Sequence, residues 1–199
     1  MIFTVLSRRG ALASVGLAFS LLSVAAFAQK SPQVKFVTNE GNFVVEVYPD
    51  KAPKTVENFL QYVKDKHYDG TVFHRVIDNF MIQGGGYDAR YAEKKTRAPV
   101  PHEGREALAK GGDKNVVGTL AMARTNDPNS ASAQFFINVK DNDFLNPTFQ
   151  SPGYTVFGKV VNGMDVVDKI KATPTGPGGP FPSNVPKTPI LINSATLVK

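Results

Sequence analysis

The chain has 199 residues, 42% of them hydrophobic, and its 23 lysines and arginines against 17 aspartates and glutamates give a net charge of +6. It contains no cysteine, which excludes disulfide bonds, thiol nucleophiles and thiolate metal ligands. Because the lysines are scattered and do not line up on one periodic face, the charge pattern favours a solvated surface over a nucleic-acid-binding one.

The N-terminal segment has the pattern of a secretory signal peptide. Residues 1–28 contain no acidic residue, carry an arginine pair at positions 8 and 9, and then run apolar up to Ala26-Phe27-Ala28. We therefore expect cleavage before Gln29, export of the mature chain, and no stable membrane insertion after cleavage, since the apolar run is short for a membrane span. An uncleaved anchor is the alternative. The arginine pair also leaves open the twin-arginine route beside the general secretory route.

The remainder, residues 29–199, has the length of one domain. It opens with a predicted hairpin, in which strands Val34–Thr38 and Phe43–Tyr48 are joined by a glycine-containing turn. Pro53 then stands where the first turn of a helix tolerates proline. Apolar residues recur at helical spacing after it, up to Val63, before Asp69-Gly70 ends the pattern, so one amphipathic helix is predicted here.

Short β-type runs separated by Gly, Asn and Pro make up most of the rest. They predict strands at Thr71–Val76, Phe80–Gln83, Val117–Met122, Gln134–Val139 and Tyr154–Val161. A short helix is predicted around Asp165–Lys171, and the Pro- and Gly-rich segment Pro174–Pro189 is predicted as a surface loop before a closing strand at Ile190–Val198. About eight strands and two helices indicate a mainly β fold. A closed antiparallel barrel with helical caps is favoured because it leaves no exposed edge, and a two-sheet sandwich is the alternative.

Several catalytic chemistries lack the residues they need. The histidines at positions 67, 74 and 102 show neither a close pair nor a His-Glu-x-x-His spacing, so no metal site is predicted, and there is no Gly-x-Ser-x-Gly motif. Gly84-Gly85-Gly86 could cradle a phosphate, but the Lys-Ser/Thr context of a phosphate loop is missing and a tight turn of the barrel is the favoured use. No cofactor is predicted.

An arginine inside a run otherwise suited to burial is the most unusual feature. Arg75 belongs to FHRVIDNFMIQGGG, residues 73–86, and strict alternation places it on the same face as Phe73. Two further clusters follow, LAMART with AQFFINV over residues 120–139, and Phe144-Leu145 with Tyr154. Each aromatic residue taken alone is more often core than binding site, so the combination carries the interpretation.

The blocks FHRVIDNFMIQGGG, LAMARTNDPNSASAQFFINV and GYTVFGKVVNGMDVVDKI resemble cyclophilins, and the resemblance covers about Val34 to Val198. With its leader and its NVPKTPI ending, the chain most resembles the bacterial periplasmic members. The resemblance implies a closed eight-stranded antiparallel β-barrel capped by two α-helices, with a substrate groove on its outer surface. It also implies a periplasmic isomerase that rotates X-Pro bonds and assists folding, with Pro-containing unfolded or partly folded polypeptides as its partners.

The resemblance also implies roles for individual residues. Arg75 matches the catalytic arginine, and Gln83 matches the glutamine that helps hold it. The proline-ring pocket corresponds to Phe80, Met81, Phe136 and Leu145. The positions that bind the peptide backbone before the proline correspond to Ala123, Arg124 and Gln134.

Three predicted substrate-binding positions depart from the usual cyclophilin pattern. Arg124 stands where many relatives carry Asn, Phe144 replaces an indole common in eukaryotic members, and Tyr154 stands where many carry His. The resemblance therefore implies weaker cyclosporin binding than in those members.

Two other functions stay open at this point. The groove could only bind Pro-containing segments, as in a holdase or an assembly factor. A carbohydrate- or nucleic-acid-binding barrel would require a basic stripe, which the sequence does not show. A monomer is expected, because no helical seam or spare apolar segment calls for a partner chain.

Overall fold

The structure of the chain is a computed structural model that describes residue 1 and residues 31–198. The predicted signal peptide and its cleavage site lie outside the described residues, apart from Met1. Within the described part, no helix has the length and apolar character needed to cross a membrane.

The described residues form ten strands, eight of which close into an antiparallel barrel. The strands are β1 (Gln33–Thr38), β2 (Gly41–Val47), β3 (Thr71–Ile77), β4 (Met81–Asp88), β5 (Thr119–Met122), β6 (Phe135–Asn138), β7 (Val156–Asn162), β8 (Thr175–Gly178), β9 (Phe181–Pro186) and β10 (Leu191–Leu197). The barrel order is β1-β10-β3-β4-β6-β5-β7-β2, and β2 pairs back onto β1. The closed eight-stranded barrel is therefore confirmed, and the sandwich alternative is wrong.

Three α-helices accompany the barrel in the described part of the chain, one more than the sequence predicts. They are α1 (Pro53–Lys64), α2 (Gly104–Ala109) and α3 (Met164–Lys171). The six residues of α2 are too few to display a helical period, which is why the sequence did not indicate it.

Helix α1 is capped at its N-terminus by a distant carboxylate. Glu103 is buried, and it accepts hydrogen bonds from the amide of Lys54 at 3.2 Å and from the amide and hydroxyl of Thr55 at 2.8 and 2.7 Å. A carboxylate suits this place because the first amides of a helix lack partners and carry partial positive charge. The segment before α2 is thereby fixed to α1.

Aromatic rings fill the barrel. Phe36 stacks on Phe43 with ring centroids 4.9 Å apart, and Phe59 lies 5.1 Å from Phe157. All four side chains are fully buried. Since the chain has no cysteine, packing of this kind, and not a disulfide, holds the barrel together.

Strand β3 contains a bulge that changes which residues share a face. Phe73 pairs with Gly84 and Arg75 pairs with Gln83, so the partner strand β4 advances one residue while β3 advances two. As a result Phe73 and Val76 both point into the barrel core, and Arg75 lies on the outer surface. The prediction that Phe73 and Arg75 share a face was wrong, because an extra residue in a strand breaks its alternation.

The three consecutive glycines lie inside β4 and do not form a tight turn, which corrects the favoured prediction for them. A Cβ at Gly85 would lie 2.8 Å from the ring of Tyr68, and one at Gly86 would lie 2.5 Å from Cγ of Gln134. The glycines therefore allow neighbouring side chains to cross the strand at close range.

The Pro- and Gly-rich segment 174–189 is predicted to be a surface loop, and this prediction was wrong. The segment contains the hairpin β8–β9. Its Phe181 lies against two residues of the barrel wall, stacking on His74 at 5.4 Å and meeting the edge of Tyr87 at 5.0 Å. Prolines and glycines concealed these strands because both residue types are rare in strand interiors. The hairpin covers the bulge of β3 next to Arg75.

Candidate active site

A small cavity of about 100 Å³ opens on the outer surface of the barrel. Its walls come from strands β3, β4 and β6 and from the segments that follow β5 and precede β7. The lining side chains are Arg75, Phe80, Met81, Gln83, Ala123, Arg124, Phe136, Leu145 and Tyr154. Each of them is among the predicted site residues, so the structure brings together positions that are up to 79 residues apart in the chain, from 75 to 154.

The guanidinium of Arg75 is held by a relay of two glutamines. Nη1 of Arg75 donates to Oε1 of Gln83 at 3.2 Å, and Nε2 of Gln83 donates to Oε1 of Gln134 at 3.0 Å. Gly86 gives Gln134 the space to lie across β4. The relay fixes the direction of the guanidinium while leaving most of its N–H groups without a partner in the relay.

Partial burial sets the electrostatics of Arg75. Desolvation lowers the pKa of its guanidinium from the ordinary value for arginine, so the charge stays but is less screened than on an open surface. The guanidinium carbon also lies 5.9 Å from the centre of the Phe80 ring. A charged donor therefore stands at the edge of an apolar hollow.

The floor of the cavity is a second hydrophobic cluster, separate from the barrel core. Its buried members are Met81, Ala121, Phe136, Leu145 and Val156. Phe136 is fixed from one side by Tyr154, whose ring meets it edge-on at 5.5 Å. The floor is thus rigid, apolar and of the size of a small ring.

Buried asparagines support the two cavity walls from behind, and sequence reasoning missed them. Asn142 donates through Nδ2 to the carbonyl of Phe80 at 2.9 Å and to Oδ1 of Asn138 at 2.8 Å. Asn115 donates through Nδ2 to the carbonyl of Leu145 at 3.2 Å. Nδ2 of Asn138 in turn donates to Oδ1 of Asn115 at 3.2 Å, which closes the network. Asn138 at the end of the apolar run FFIN was the signal available, since a buried amide must find partners.

Arg124 forms part of the cavity wall, and its guanidinium contacts uncharged groups. Its Nε and Nη2 donate to the carbonyl of Gly153 at 3.1 and 3.0 Å, and its guanidinium carbon lies 4.6 Å from the centre of the Tyr154 ring. Nε2 of His102 lies 3.1 Å from the same carbonyl. Burial lowers the pKa of His102, although the hydrogen bond to Gly153 acts in the opposite direction, so the ring is neutral. Its Nδ1 accepts from the amide of Gly104 at 3.3 Å, so Nε2 carries the proton and donates to Gly153.

The remaining two predicted residues adjoin the cavity without lining it. Gln134 lines a neighbouring groove of about 220 Å³, which shares Gln83, Ala123 and Arg124 with the cavity. Phe144 is 72% exposed, and its ring stacks at 5.7 Å on Phe80, which belongs to the cavity wall and not to the groove of Gln134. All predicted site residues therefore lie on one continuous surface. Among the described residues, no group of three or more acidic or histidine side chains is placed to hold a metal ion.

The sequence of the chain matches the model of a known protein family. The model for "cyclophilin type peptidyl-prolyl cis-trans isomerase" matches residues 33–197.

The chain belongs to the cyclophilin family.

Named relatives place this cyclophilin among the isomerases. A peptidyl-prolyl cis-trans isomerase of Acinetobacter baylyi is 51% identical over 176 residues, which cover 88% of this chain and 90% of the relative. Peptidyl-prolyl cis-trans isomerase B of Escherichia coli is 52% identical over 167 residues, which cover 82% and 98%.

Solved structures agree on the fold. A cyclophilin-type isomerase of Cryptosporidium parvum matches with a TM-score of 0.68 and 24% identity, covering 85% of this chain and 98% of that one. A second C. parvum structure, solved in the presence of the dipeptide Ala-Pro, matches with a TM-score of 0.66 and 25% identity, covering 84% and 99%. This cyclophilin is an enzyme of the peptidyl-prolyl cis-trans isomerase class, and its substrates are proline-containing polypeptides.

Proposed function

We propose that this cyclophilin isomerises X-Pro bonds of exported polypeptides in the periplasm, assists their folding, and acts as a monomer with Arg75 as its catalytic residue. The observation that carries the proposal is the oriented guanidinium of Arg75 at the edge of a rigid apolar hollow of about 100 Å³. The N-terminal pattern of residues 1–28 supports the exported location and the periplasmic subgroup.

Rotation about an X-Pro bond is slow because amide resonance gives the C–N bond partial double-bond character, with a barrier of about 20 kcal/mol. In the twisted state the prolyl nitrogen leaves conjugation and its lone pair becomes a hydrogen-bond acceptor. An N–H of Arg75 that Gln83 does not use donates to that lone pair. Because the planar ground state offers the nitrogen little capacity to accept, this bond stabilises the transition state selectively.

The hollow supplies a second part of the catalysis. Met81, Phe136 and Leu145 hold the proline ring in place while the acyl side rotates, and they exclude water that would compete for Arg75. A ten-thousandfold acceleration requires about 5.4 kcal/mol. A hydrogen bond from a charged group contributes about 1.5–3 kcal/mol, so the remainder falls to the pocket and its dry surroundings.

The groove around Gln134 receives the chain before the proline. It shares Ala123 and Arg124 with the cavity, so a peptide that lies in the groove delivers its next residue to the hollow. The Ala-Pro dipeptide named with the C. parvum relative has the chemistry that such a pair of adjoining sites would accept.

The proposal is tested by refolding an unfolded exported protein whose folding is limited by proline isomerisation. Residues 29–199 should accelerate the slow phase, Arg75→Ala should abolish most of the acceleration, and Arg90→Ala, which alters an exposed arginine outside the cavity, should not. Full activity of Arg75→Ala would remove Arg75 from the mechanism, and no acceleration by the wild-type chain would leave a binding-only role.

Export and oligomeric state are tested separately. The mature chain should begin at Gln29 in the periplasmic fraction, and light scattering should give the mass of one chain. A chain that retains Met1 in the membrane fraction would refute the proposed location.

A further inference from the structure

The two most exposed phenylalanines of the described residues lie on one segment next to the candidate active site. Phe144 is 72% exposed at the rim of the cavity, and Phe149 is 98% exposed five residues later. Burial of a phenylalanine side chain is favourable, and an exposed ring forgoes that gain. An exposed aromatic ring beside a site is therefore a candidate for contact with a ligand.

Phe149 lies on a loop, residues 146–153, whose two ends are part of the cavity. Leu145 precedes the loop and Tyr154 follows it, and both line the cavity. The amide of Tyr154 donates to the carbonyl of Leu145 at 2.9 Å, which closes the base of the loop. Phe149 is four positions after Leu145, so their Cα atoms lie within about 14 Å of each other even in a fully extended chain.

The 146–153 loop is fixed in place by its own hydrogen bonds. Nη2 of Arg105 donates to the carbonyls of Thr148 and Phe149 at 2.8 and 3.1 Å. The amide of Thr148 donates to the carbonyl of Ser151 at 2.8 Å, and the amide of Ser151 donates back to Oγ1 of Thr148. A ring presented on an ordered loop loses little conformational entropy when it binds.

A groove of about 340 Å³ lies beside Phe149. It is lined by Arg105, Leu108, Pro147, Thr148 and Phe149. Its walls are mostly apolar, and the positive charge of Arg105 forms no ion pair with another described residue. The chemistry of the groove therefore suits a large apolar side chain and disfavours a cationic one.

We propose that this groove is an accessory site for a large apolar side chain of an unfolded substrate, located two to four residues after the proline. The inference rests on the proposed function. The groove around Gln134 takes the chain before the proline, so the chain after the proline leaves past the part of the cavity wall that this groove does not share, where Phe80, Phe144 and Leu145 lie. An extended chain advances about 3.3 Å per residue and reaches the tip of the 146–153 loop within about four residues. The site would select substrates with exposed apolar segments, which native proteins bury.

The test uses three peptides that share an Ala-Pro core and carry Leu, Ser or Lys at the third position after the proline. Isomerisation is followed by exchange NMR with the wild type, Phe149→Ser and the control Val117→Ser, which alters a residue that is 52% exposed outside both grooves. For the wild type we expect kcat/KM to rank Leu above Ser above Lys. Phe149→Ser should lower kcat/KM for the Leu peptide about fivefold to tenfold, through KM, and change the Ser peptide less than twofold. The Val117→Ser variant should behave as the wild type.

A second measurement reports binding directly, since the chain has no tryptophan. The fluorescence of Phe149→Trp should shift to shorter wavelength with the Leu peptide and not with the Ser peptide, whereas Val117→Trp should respond to neither. Equal activity of wild type and Phe149→Ser on the Leu peptide would overturn the accessory site. So would an equal loss on a peptide that carries its leucine before the proline. No isomerisation of any peptide by the wild type would instead refute the proposed function.

Discussion

The substitution Gly86→Ala tests the glutamine relay behind Arg75 without replacing a side chain of the site. The backbone of Gly86 is not in the left-handed region, so alanine fits the strand, but its Cβ would lie 2.5 Å from Cγ and 2.7 Å from Nε2 of Gln134. Gln134 must therefore move, and its 3.0 Å hydrogen bond with Gln83 is lost. Gln83 then no longer holds Arg75 in one direction.

The size of the effect follows from the bond that is lost. A neutral hydrogen bond contributes about 1 kcal/mol, so kcat/KM should fall about fivefold. The assay is protease-coupled isomerisation of an Ala-Pro peptide. The control is Gly176→Ala in the β8–β9 hairpin, where the nearest atom to the new Cβ is 3.6 Å away and activity should be unchanged.

A double substitution decides whether the alanine acts through Gln134. If it does, Gly86→Ala with Gln134→Ala should be no less active than Gln134→Ala alone, because the relay is already broken. If the loss of activity in the double variant equals the product of the two single losses, or if Gly86→Ala keeps full activity, the role assigned to the relay is refuted.

Three further predictions concern other parts of the molecule. Burial lowers the pKa of His74 to about 4, and the side chain is 3% exposed, so its contribution to stability is fully present above its unfolded pKa of 6.5 and is lost as pH falls toward 4. The free energy of unfolding, measured by urea titration, should therefore fall between pH 7 and pH 4 by roughly 3 kcal/mol less in His74→Phe than in the wild type. An equal fall in the two proteins would contradict this. Asn142→Ala leaves Oδ1 of the buried Asn138 without its partner and removes one of the two hydrogen bonds to the carbonyl of Phe80, so it should cost about 2 kcal/mol of stability and raise KM more than it lowers kcat. A lower melting temperature with unchanged KM would show that the network stabilises the fold without shaping the pocket. Glu103→Gln removes the charge at the start of α1 and should cost about 1 kcal/mol in urea unfolding while kcat/KM stays within twofold, and an unchanged urea midpoint would show that the carboxylate does not cap the helix.

The sequence predicted the barrel and the residues that line the cavity, because the motif blocks that resemble cyclophilins contain both barrel strands and most of these residues. Alternation failed at Phe73 and Arg75, because a bulge in β3 is invisible to a period-two pattern and depends on pairing with β4. That bulge is also what puts the charge of Arg75 on the outside of a strand whose Phe73 and Val76 lie in the core. The motif singled out Arg75, which lies in the cavity wall, while the bulge that places it there is visible only in the structure.

Features that depend on residues far apart in the chain could not be predicted from local sequence patterns. The hairpin at 174–189 pairs segments rich in residues that weaken strands, and its stability comes from packing Phe181 against the barrel wall. The asparagine network joins residues from position 115 to position 146, which no spacing rule connects. Nothing in the sequence distinguishes Phe149 from other loop residues. Its position beside the cavity follows from the hydrogen bond between the amide of Tyr154 and the carbonyl of Leu145, which closes the base of its loop.

The central claim is that Arg75 stabilises the twisted X-Pro bond and contributes little to binding of the planar peptide. The most direct measurement compares kcat/KM for isomerisation with the Kd for the same Ala-Pro peptide, in wild type and in Arg75→Ala. The account predicts that kcat/KM falls about a hundredfold, the value of one strong charge-assisted hydrogen bond, while Kd changes less than threefold. Equal losses in both quantities would show that Arg75 binds the ground state as well as the transition state, and would contradict the mechanism.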